Sequence, residues 1–568
     1  MSNYSEYNEN GAFFRGPHYT NSRAAKPTRD PKQTNAYLVG GGIASLAAAV
    51  HLIQDANVPA SQIHILESGP VPGGSMDGAG NSESGYILRG GRMLNFSYLC
   101  TYDMLSRVPS LTDPKKTVKQ EIDEFNAIAG NKTNAHARLV AKGVNGPEIM
   151  DVTRMGLNNK QRLDLVKLAE ESEMSLGAKR ISECFTEDFF NTKFWYMWNT
   201  MFAFEPWHSA VEFKRYLHRF VQEFPRINSL AGVDRTPYNQ YDSIILPIET
   251  YLKAQGVEFR YDTKVASLSF APGDAITAHE IHFASSRTGA TGLIHVEESD
   301  IVLVTLGSMT AASSIGSNTQ PPKPLPSPQK GLQAPDGAWQ LWSSLANPEV
   351  NHHYKQFGNP ENFYTRVQES NWLSFTTTLH SPDFLNSVEQ FSGNKAGTGA
   401  LMTFKDSAWL MSIVVPHQPH FINQAAGTEV FWGYGLFPSR LGDFVKKPMS
   451  ECSGEEIFQE LLGHLNFPAE LAKDVVTIPC MLPYITSQFL TRKAGDRPEV
   501  VPKGSTNLAL MGQYVEVPKD TVFTVEYSVR CAQMAVHEFM GTKHKPKDIY
   551  MGEHNVKVLV NALKMLLT

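Results

Sequence analysis

Residues 35–53 read Asn-Ala-Tyr-Leu-Val-Gly-Gly-Gly-Ile-Ala-Ser-Leu-Ala-Ala-Ala-Val-His-Leu-Ile, a short apolar run that meets three glycines and continues as an alanine-rich segment of helical character. A strand that turns through glycine straight into a helix is a βα unit, and such units build parallel sheets with helices on their faces. The turn leaves backbone N–H groups pointing at whatever lies beyond the strand. Without Cβ atoms in the way, a pyrophosphate can come close to them. Gly40 and Gly42 take the first two positions of that pattern, and Ser45 stands where a third glycine or an alanine is usual, still small enough for close helix–strand packing. A second apolar run at 63–67 ends on Glu67, as the ribose-binding strand of a dinucleotide fold does. The competing reading is a tight βα turn that binds nothing.

The next segment bears on which dinucleotide. Pro72 is followed by Gly-Gly-Ser, ending at Ser75, directly after the acidic strand; this is a flavoprotein feature more than a nicotinamide one, so FAD is the favoured cofactor. The pair Gly90 and Gly91, followed by Arg92, offers backbone for close approach to an isoalloxazine ring, or is an ordinary Gly-Gly turn. Further strands are expected at 256–265, 300–307 and 507–512, the last two closed by glycine, and a helix at 521–537. The run Pro-Pro-Lys-Pro-Leu-Pro-Ser-Pro at 321–328 holds neither a helix nor a central strand and marks a linker or exposed loop. The fold expected is therefore α/β: a Rossmann-like FAD-binding domain from 35–150, 231–320 and 496–545; an inserted mixed α/β substrate domain from 151–230 and 330–495; an extended arm at 1–34; and a helical C-terminal cap at 546–568.

Composition removes several classes. With 51 Lys plus Arg against 57 Asp plus Glu, a net charge of −6, the surface does not suit nucleic acid as the main partner. No stretch approaches the ~18 uninterrupted apolar residues of a membrane span. The first 34 residues lack the apolar block of a secretory signal. Five widely spaced cysteines fit neither a disulfide scaffold nor a metal site, so no metal is expected and a reducing, cytoplasmic compartment is. Monomer and oligomer are equally compatible with the sequence.

Residues 189–224 carry thirteen aromatics, far above the chain's 10% average, and so can bury a large apolar surface. On a helix expected at 209–224, Ala210, Phe213, Leu217, Phe220 and Phe224 form one stripe with Tyr216 beside it. A phenol on such a face is a packed tyrosine or a proton donor. At the C-terminus, Val556, Leu559, Val560, Leu563, Leu566 and Leu567 form one face of an amphipathic helix, with Lys557 and Lys564 elsewhere on it and Lys543, Lys545 and Lys547 just before it. Docking on the protein's own core and lying on an anionic bilayer are the two uses of such a face.

Several strings together resemble one family, the FAD-dependent fatty-acid hydratases, also called oleate hydratases or myosin-cross-reactive antigens. They are Gly-Gly-Gly-Ile-Ala-Ser-Leu-Ala (40–47), Gly-Gly-Ser-Met-Asp-Gly (73–78), Arg-Gly-Gly-Arg (89–92), Tyr-Asn-Gln-Tyr (238–241), His-Gln-Pro-His-Phe (417–421), Phe-Trp-Gly-Tyr-Gly-Leu-Phe-Pro (431–438) and Val-Phe-Thr-Val-Glu-Tyr-Ser-Val-Arg (522–530). The resemblance implies a carbon–oxygen hydro-lyase that adds water across a cis double bond of a long-chain unsaturated fatty acid, as in oleate to 10-hydroxystearate, with FAD required, most effective when reduced, and no net redox change. It places the alkene-protonating tyrosine at Tyr216. Cofactor contacts fall on Gly40, Gly41, Gly42, Ala44, Ser45, Glu67, Ser75, Gly91, Arg92, Met93, Val265, Phe523 and Thr524, and substrate-carboxylate binding on His420. Two positions depart from the family pattern. Most relatives have a water-activating glutamate where this chain has Met93, which resembles a subclass sharing Arg-Gly-Gly-Arg-Met-Leu-Asn. The carboxylate stretch, usually with Thr and Asn, has Val414 and Pro416. The alternatives carried beside this reading are a flavin oxidoreductase or desaturase, and a lipid-binding flavoprotein of weak or no catalysis. A fatty acid is the expected partner in each of the lipid readings, with peripheral membrane contact through the C-terminal helix.

Overall fold

The computed structural model describes residues 29–326, 334–398 and 401–568. Five parallel strands form the first sheet, in the order Leu508–Met511, Ile301–Thr305, Ala36–Val39, Ile63–Leu66, Glu258–Arg260. The three central strands are almost wholly apolar and buried, as a parallel sheet covered on both faces requires. Helices Ile43–Gln54 and Val525–Met540 pack on each other beside it. Ala44, Ala47, Ala48 and Ala49 are all buried in that contact region, and their small side chains permit the close approach. The α/β fold expected from the glycine turn is present.

A second, eight-stranded sheet runs in the order Ser314–Ile315, Val475–Leu482, Trp372–Leu379, Glu429–Gly435, Met411–Val414, Leu401–Phe404, Leu139–Gly143, Gly146–Ile149. Its pairs are antiparallel except Leu401–Phe404 with Leu139–Gly143. The expected boundaries at 150 and 320 therefore shift, because 139–149 and 314–315 pair with this sheet and not with the parallel one. The helices of 151–230 also share one continuous core with the parallel sheet, whereas the second sheet has cores of its own. Local patterning shows that a segment is a strand; the sheet it joins is fixed by contacts distant in sequence.

Three segments differ from expectation in detail. Of the arm at 1–34 only 29–34 lie within the described residues, and these are docked: Arg29 donates to the carbonyls of Thr506, Ser299 and Glu298. The proline-rich stretch is without helix or strand over 321–326, and 327–328 lie outside the described residues. The helix expected at 209–224 is an α-helix only over Ala210–Arg219, followed by a 3₁₀ segment Val221–Arg226. Pro225 explains the change, since its ring crowds the carbonyl four residues back and it lacks an N–H.

The C-terminal helix Val556–Leu566 lies against that 3₁₀ segment. It docks through Val558 and Ala562, one turn apart, while the row expected to form its working face points outward: Val556 is 75% exposed, Leu563 51% and Leu567 65%. The helix carries apolar residues beyond the expected row, and the smaller ones, Val558 and Ala562, allow the closest approach. Among the described residues no helix is long and apolar enough to cross a membrane.

Candidate active site

The glycine turn closes one end of a cleft at the carboxyl edge of the parallel sheet, the usual ligand position in such folds. Gly40 has φ +90° and donates its N–H to the Leu66 carbonyl at 2.8 Å. Glu67 accepts the Gly41 N–H at 2.6 Å and the Gly69 N–H at 2.6 Å, so the acid at the end of the second strand is fixed against the turn. A Cβ on Gly41 would lie 2.7 Å from that carboxylate. Gly42 caps helix Ile43–Gln54 with no side chain over its N-terminus, and nothing lies within 4 Å of where a Gly42 Cβ would be. An uncapped helix end facing open space is suited to an anion. Ala44, Ser75 and Val265 line the same cleft; Ser45 does not, being fully buried beside Thr305 where it serves helix–strand packing.

A second cavity of about 120 Å³ lies between the Arg89–Arg92 loop, the helix Ala210–Arg219 and the second sheet. Gly91, Arg92, Met93, Phe523, Thr524 and Tyr216 all line it, so the expected cofactor residues divide between the two spaces. Arg92 joins them: its guanidinium donates to the Ser75 carbonyl of the cleft at 3.4 Å and to those of Gly90 and Gly91, and stands over the Phe523 ring. Burial lowers its pKa to about 10. A Cβ on Gly91 would overlap the Trp432 indole, which is why only glycine fits there.

Tyr216 is 1% exposed, ringed by Phe202, Phe204 and Phe220. Its oxygen accepts the Phe523 N–H at 3.0 Å, leaving the phenolic proton unspent. Burial raises its pKa well above the ordinary tyrosine value. The back of its helix is equally buried but charged. Glu212 accepts from Arg492 and Arg497, Arg215 donates to Glu173 and pairs with Glu516, and Arg219 donates to Asp520 and to Ser97. Glu526 and Arg530, within the 522–530 string, extend this network, with Arg530 donating to Asp520 and Glu526.

His420 lines neither space. It is buried with Nε2 unpartnered, and burial, with Arg235 and His417 adding to it, lowers its pKa to about 3. Arg235, also buried, keeps Nη2 without a partner. Residues that the sequence reading did not assign line the cleft as well: Gly307 and Gly512, both with positive φ, and Gln513 and Tyr514. The strand-ending glycines at 307 and 512 carried that signal. Trp372, Trp432 and Tyr98 in the second cavity carried none that a single sequence shows.

A family model described as the MCRA family matches residues 33–537. An oleate hydratase of Streptococcus pyogenes serotype M49 (strain NZ131) is 37% identical over 550 residues, covering 94% of this chain and 90% of its own. A linoleate hydratase of Lactiplantibacillus plantarum is 35% identical over 555 residues, 90% of this chain and 94% of its own. Among solved structures, an oxidoreductase from Methanosarcina mazei (12% identity, TM-score 0.48, 89% of this chain and 100% of that one) and cyclohexylamine oxidase from Brevibacterium oxydans IH-35A (10%, 0.48, 89% and 99%) are similar at a distance.

Proposed function

Because the chain belongs to the MCRA family, we propose that it is a hydratase adding water across a cis double bond of long-chain unsaturated fatty acids, with FAD as its cofactor. One observation carries the chemistry: a phenol with an unspent proton, buried at the wall of an apolar cavity that adjoins the cleft of the glycine turn. Tyr216 protonates one alkene carbon. Its raised pKa keeps the proton available at every physiological pH, and the Phe523 N–H stabilises the phenolate that donation leaves. Water then bonds to the other carbon and returns a proton to Tyr216, so the electron count is unchanged.

The chain's own residues fit a flavin dinucleotide. The turn Gly40, Gly41, Gly42 and the bare helix end beside Ala44 suit the pyrophosphate, and Glu67, held by the Gly41 N–H, retains lone pairs for ribose hydroxyls. Ser75 and Val265 would flank it, with Gly91, Arg92, Met93, Phe523 and Thr524 at the ring end, where the lack of a Gly91 side chain leaves backbone accessible. When bound and reduced, the flavin supplies negative charge near the carbocation. His420, neutral at its lowered pKa, and Arg235 lie outside both spaces, and their assignment to the substrate carboxylate rests on the family resemblance alone.

The C-terminal helix has the makings of a membrane contact. Its outward row Val556, Leu559, Val560 and Leu563 is flanked by exposed Lys557 and Lys564, an arrangement suited to an anionic bilayer from which a fatty acid is drawn. The test of the whole reading is incubation of purified protein with oleate and with linoleate, with and without reductant. A product heavier by one water, formed without stoichiometric oxygen or nicotinamide consumption, is expected. Product that tracked oxygen one for one would make the protein an oxidoreductase.

A further inference from the structure

The attacking water needs a holder, and with Met93 in place of a carboxylate the cavity narrows the choice. Water that bonds to a cationic carbon turns a lone pair towards it, so its hydrogens must point at acceptors. Among the described residues lining the cavity there is no carboxylate and no imidazole. The lining polar groups are almost all committed. Asn95 donates to Glu223 and the Gly232 carbonyl while its oxygen accepts twice from Ser97. The Gly90 carbonyl takes Gln240 and Arg92. Tyr434 donates to the Thr200 carbonyl, Thr200 to that of Tyr196, and Thr524 to that of Thr521. The indole N–H groups of Trp372 and Trp432 can only donate.

Tyr98 is the exception. Among the described residues, it is the one side-chain hydroxyl of the lining with neither its proton nor its oxygen engaged. The backbone on either side of Tyr98, and its ring, are held in place by their surroundings. Arg219, on the Tyr216 helix, donates to the Ser97 carbonyl at 2.9 Å and to its hydroxyl at 2.8 Å. On the other side Glu526 accepts the Cys100 and Thr101 N–H groups at 2.9 and 2.8 Å, fixing the start of helix Leu99–Leu105, for which Tyr98 is the cap. The Tyr98 ring stands edge-on to Phe220, 6.4 Å between centroids, and Phe220 in turn touches the Tyr216 ring. The two phenols are thus tied to one buried ion-pair network.

We propose that Tyr98 is a further catalytic residue, the hydroxyl that accepts a hydrogen bond from the attacking water and aims it at the carbon opposite the one Tyr216 protonates. The proposal rests on the hydratase reading. The step balances: the Tyr216 proton forms a C–H bond, the water oxygen a C–O bond, and the proton that the water loses restores Tyr216. Tyr98 keeps its own proton, and burial, which raises its pKa, prevents ionisation.

The test compares wild type, Tyr98→Phe and the double variant Tyr98→Phe/Met93→Glu on oleate in D₂O, with flavin occupancy and Tm recorded. Hydroxy acid and deuterium in the recovered alkene are measured together. Tyr98→Phe removes an oxygen that holds nothing in the resting protein, so folding is unaffected. Hydration should fall at least about tenfold while deuterium exchange, measured at early conversion before product dehydrates back to alkene and so needing only Tyr216, stays within about twofold. The carboxylate of the double variant should restore part of the loss. Wild-type hydration in Tyr98→Phe overturns the proposal alone; so does an equal loss of hydration and exchange, the mark of a merely structural role. A wild-type protein that forms no hydroxy acid overturns the hydratase reading and this proposal with it.

Discussion

At Tyr216 the removal of one oxygen should cost about 10²–10⁴ in hydration rate, the range for losing a general acid, with the flavin spectrum unchanged in Tyr216→Phe. Initial rates on oleate at matched flavin occupancy check this. Met93→Ala should cost far less, since a thioether packs without taking a proton. Gly42→Val probes the other space. Gly42 has an ordinary φ of −74°, and open space surrounds its missing Cβ, so the variant should fold normally and lose flavin, as absorbance of the purified protein will report. His208 gives a pH signature. It accepts the Glu205 N–H, stacks on Phe489, and burial lowers its pKa to about 3. The unfolded chain takes up that proton near pH 6.5 and the folded one does not. Stability from this group is therefore complete above about 6.5 and lost as pH falls towards 3, about 2 kcal/mol by pH 5. Glu205, raised by burial, titrates in the opposite sense. The difference in Tm between wild type and His208→Gln at pH 7 and 5 isolates the histidine term. The glycine turn and Glu67 follow a local rule that a sequence displays, whereas the role proposed for Tyr216 comes from the family resemblance, its helical stripe alone fitting a packed tyrosine equally well. Tyr98 was not legible: an unengaged hydroxyl is defined by what fails to reach it.

The helix Ala210–Arg219 shows how much an element conceals. Its apolar stripe is plain in the sequence, and the residues between the stripe positions, Glu212, Arg215 and Arg219, look like a solvated face. Instead they are buried against carboxylates and guanidinium groups from 173 and 492–530, partners that no local pattern announces. Breaking one such pair strands a charge, and Glu212→Ala should destabilise by about 3–5 kcal/mol, readable as a lowered urea midpoint. The C-terminal helix errs the other way. Its hydrophobic row was legible, its orientation was not, because contacts distant in sequence decide which apolar residues meet the core. Leu559→Asp with Leu563→Asp should leave Tm within about 2 °C and weaken binding to anionic vesicles, whereas Val558→Asp, at a buried position, should lower Tm outright. Vesicle co-sedimentation and thermal melts separate the two.

Across the whole molecule, the α/β class was readable, and so were the separated strands of the parallel sheet, since each carries its own signature. The division at 150 and 320 was not, because sheet membership is decided by pairing between residues hundreds of positions apart, as with Leu139–Gly143 against Leu401–Phe404. The same dispersal shapes the cleft, whose walls come from 39–44, 263–265, 305–310, 337–341 and 512–514. No partial chain contains it. On the proposed reading flavin binds the finished fold alone, and saturating FAD at a thousand times its Kd should add about 4 kcal/mol to the apoprotein, seen as a rise in Tm. In a living cell that binding would make vitamin supply a control on protein abundance: chains completed while flavin is scarce would spend longer open to proteases, so riboflavin starvation should deplete the polypeptide itself as well as its activity.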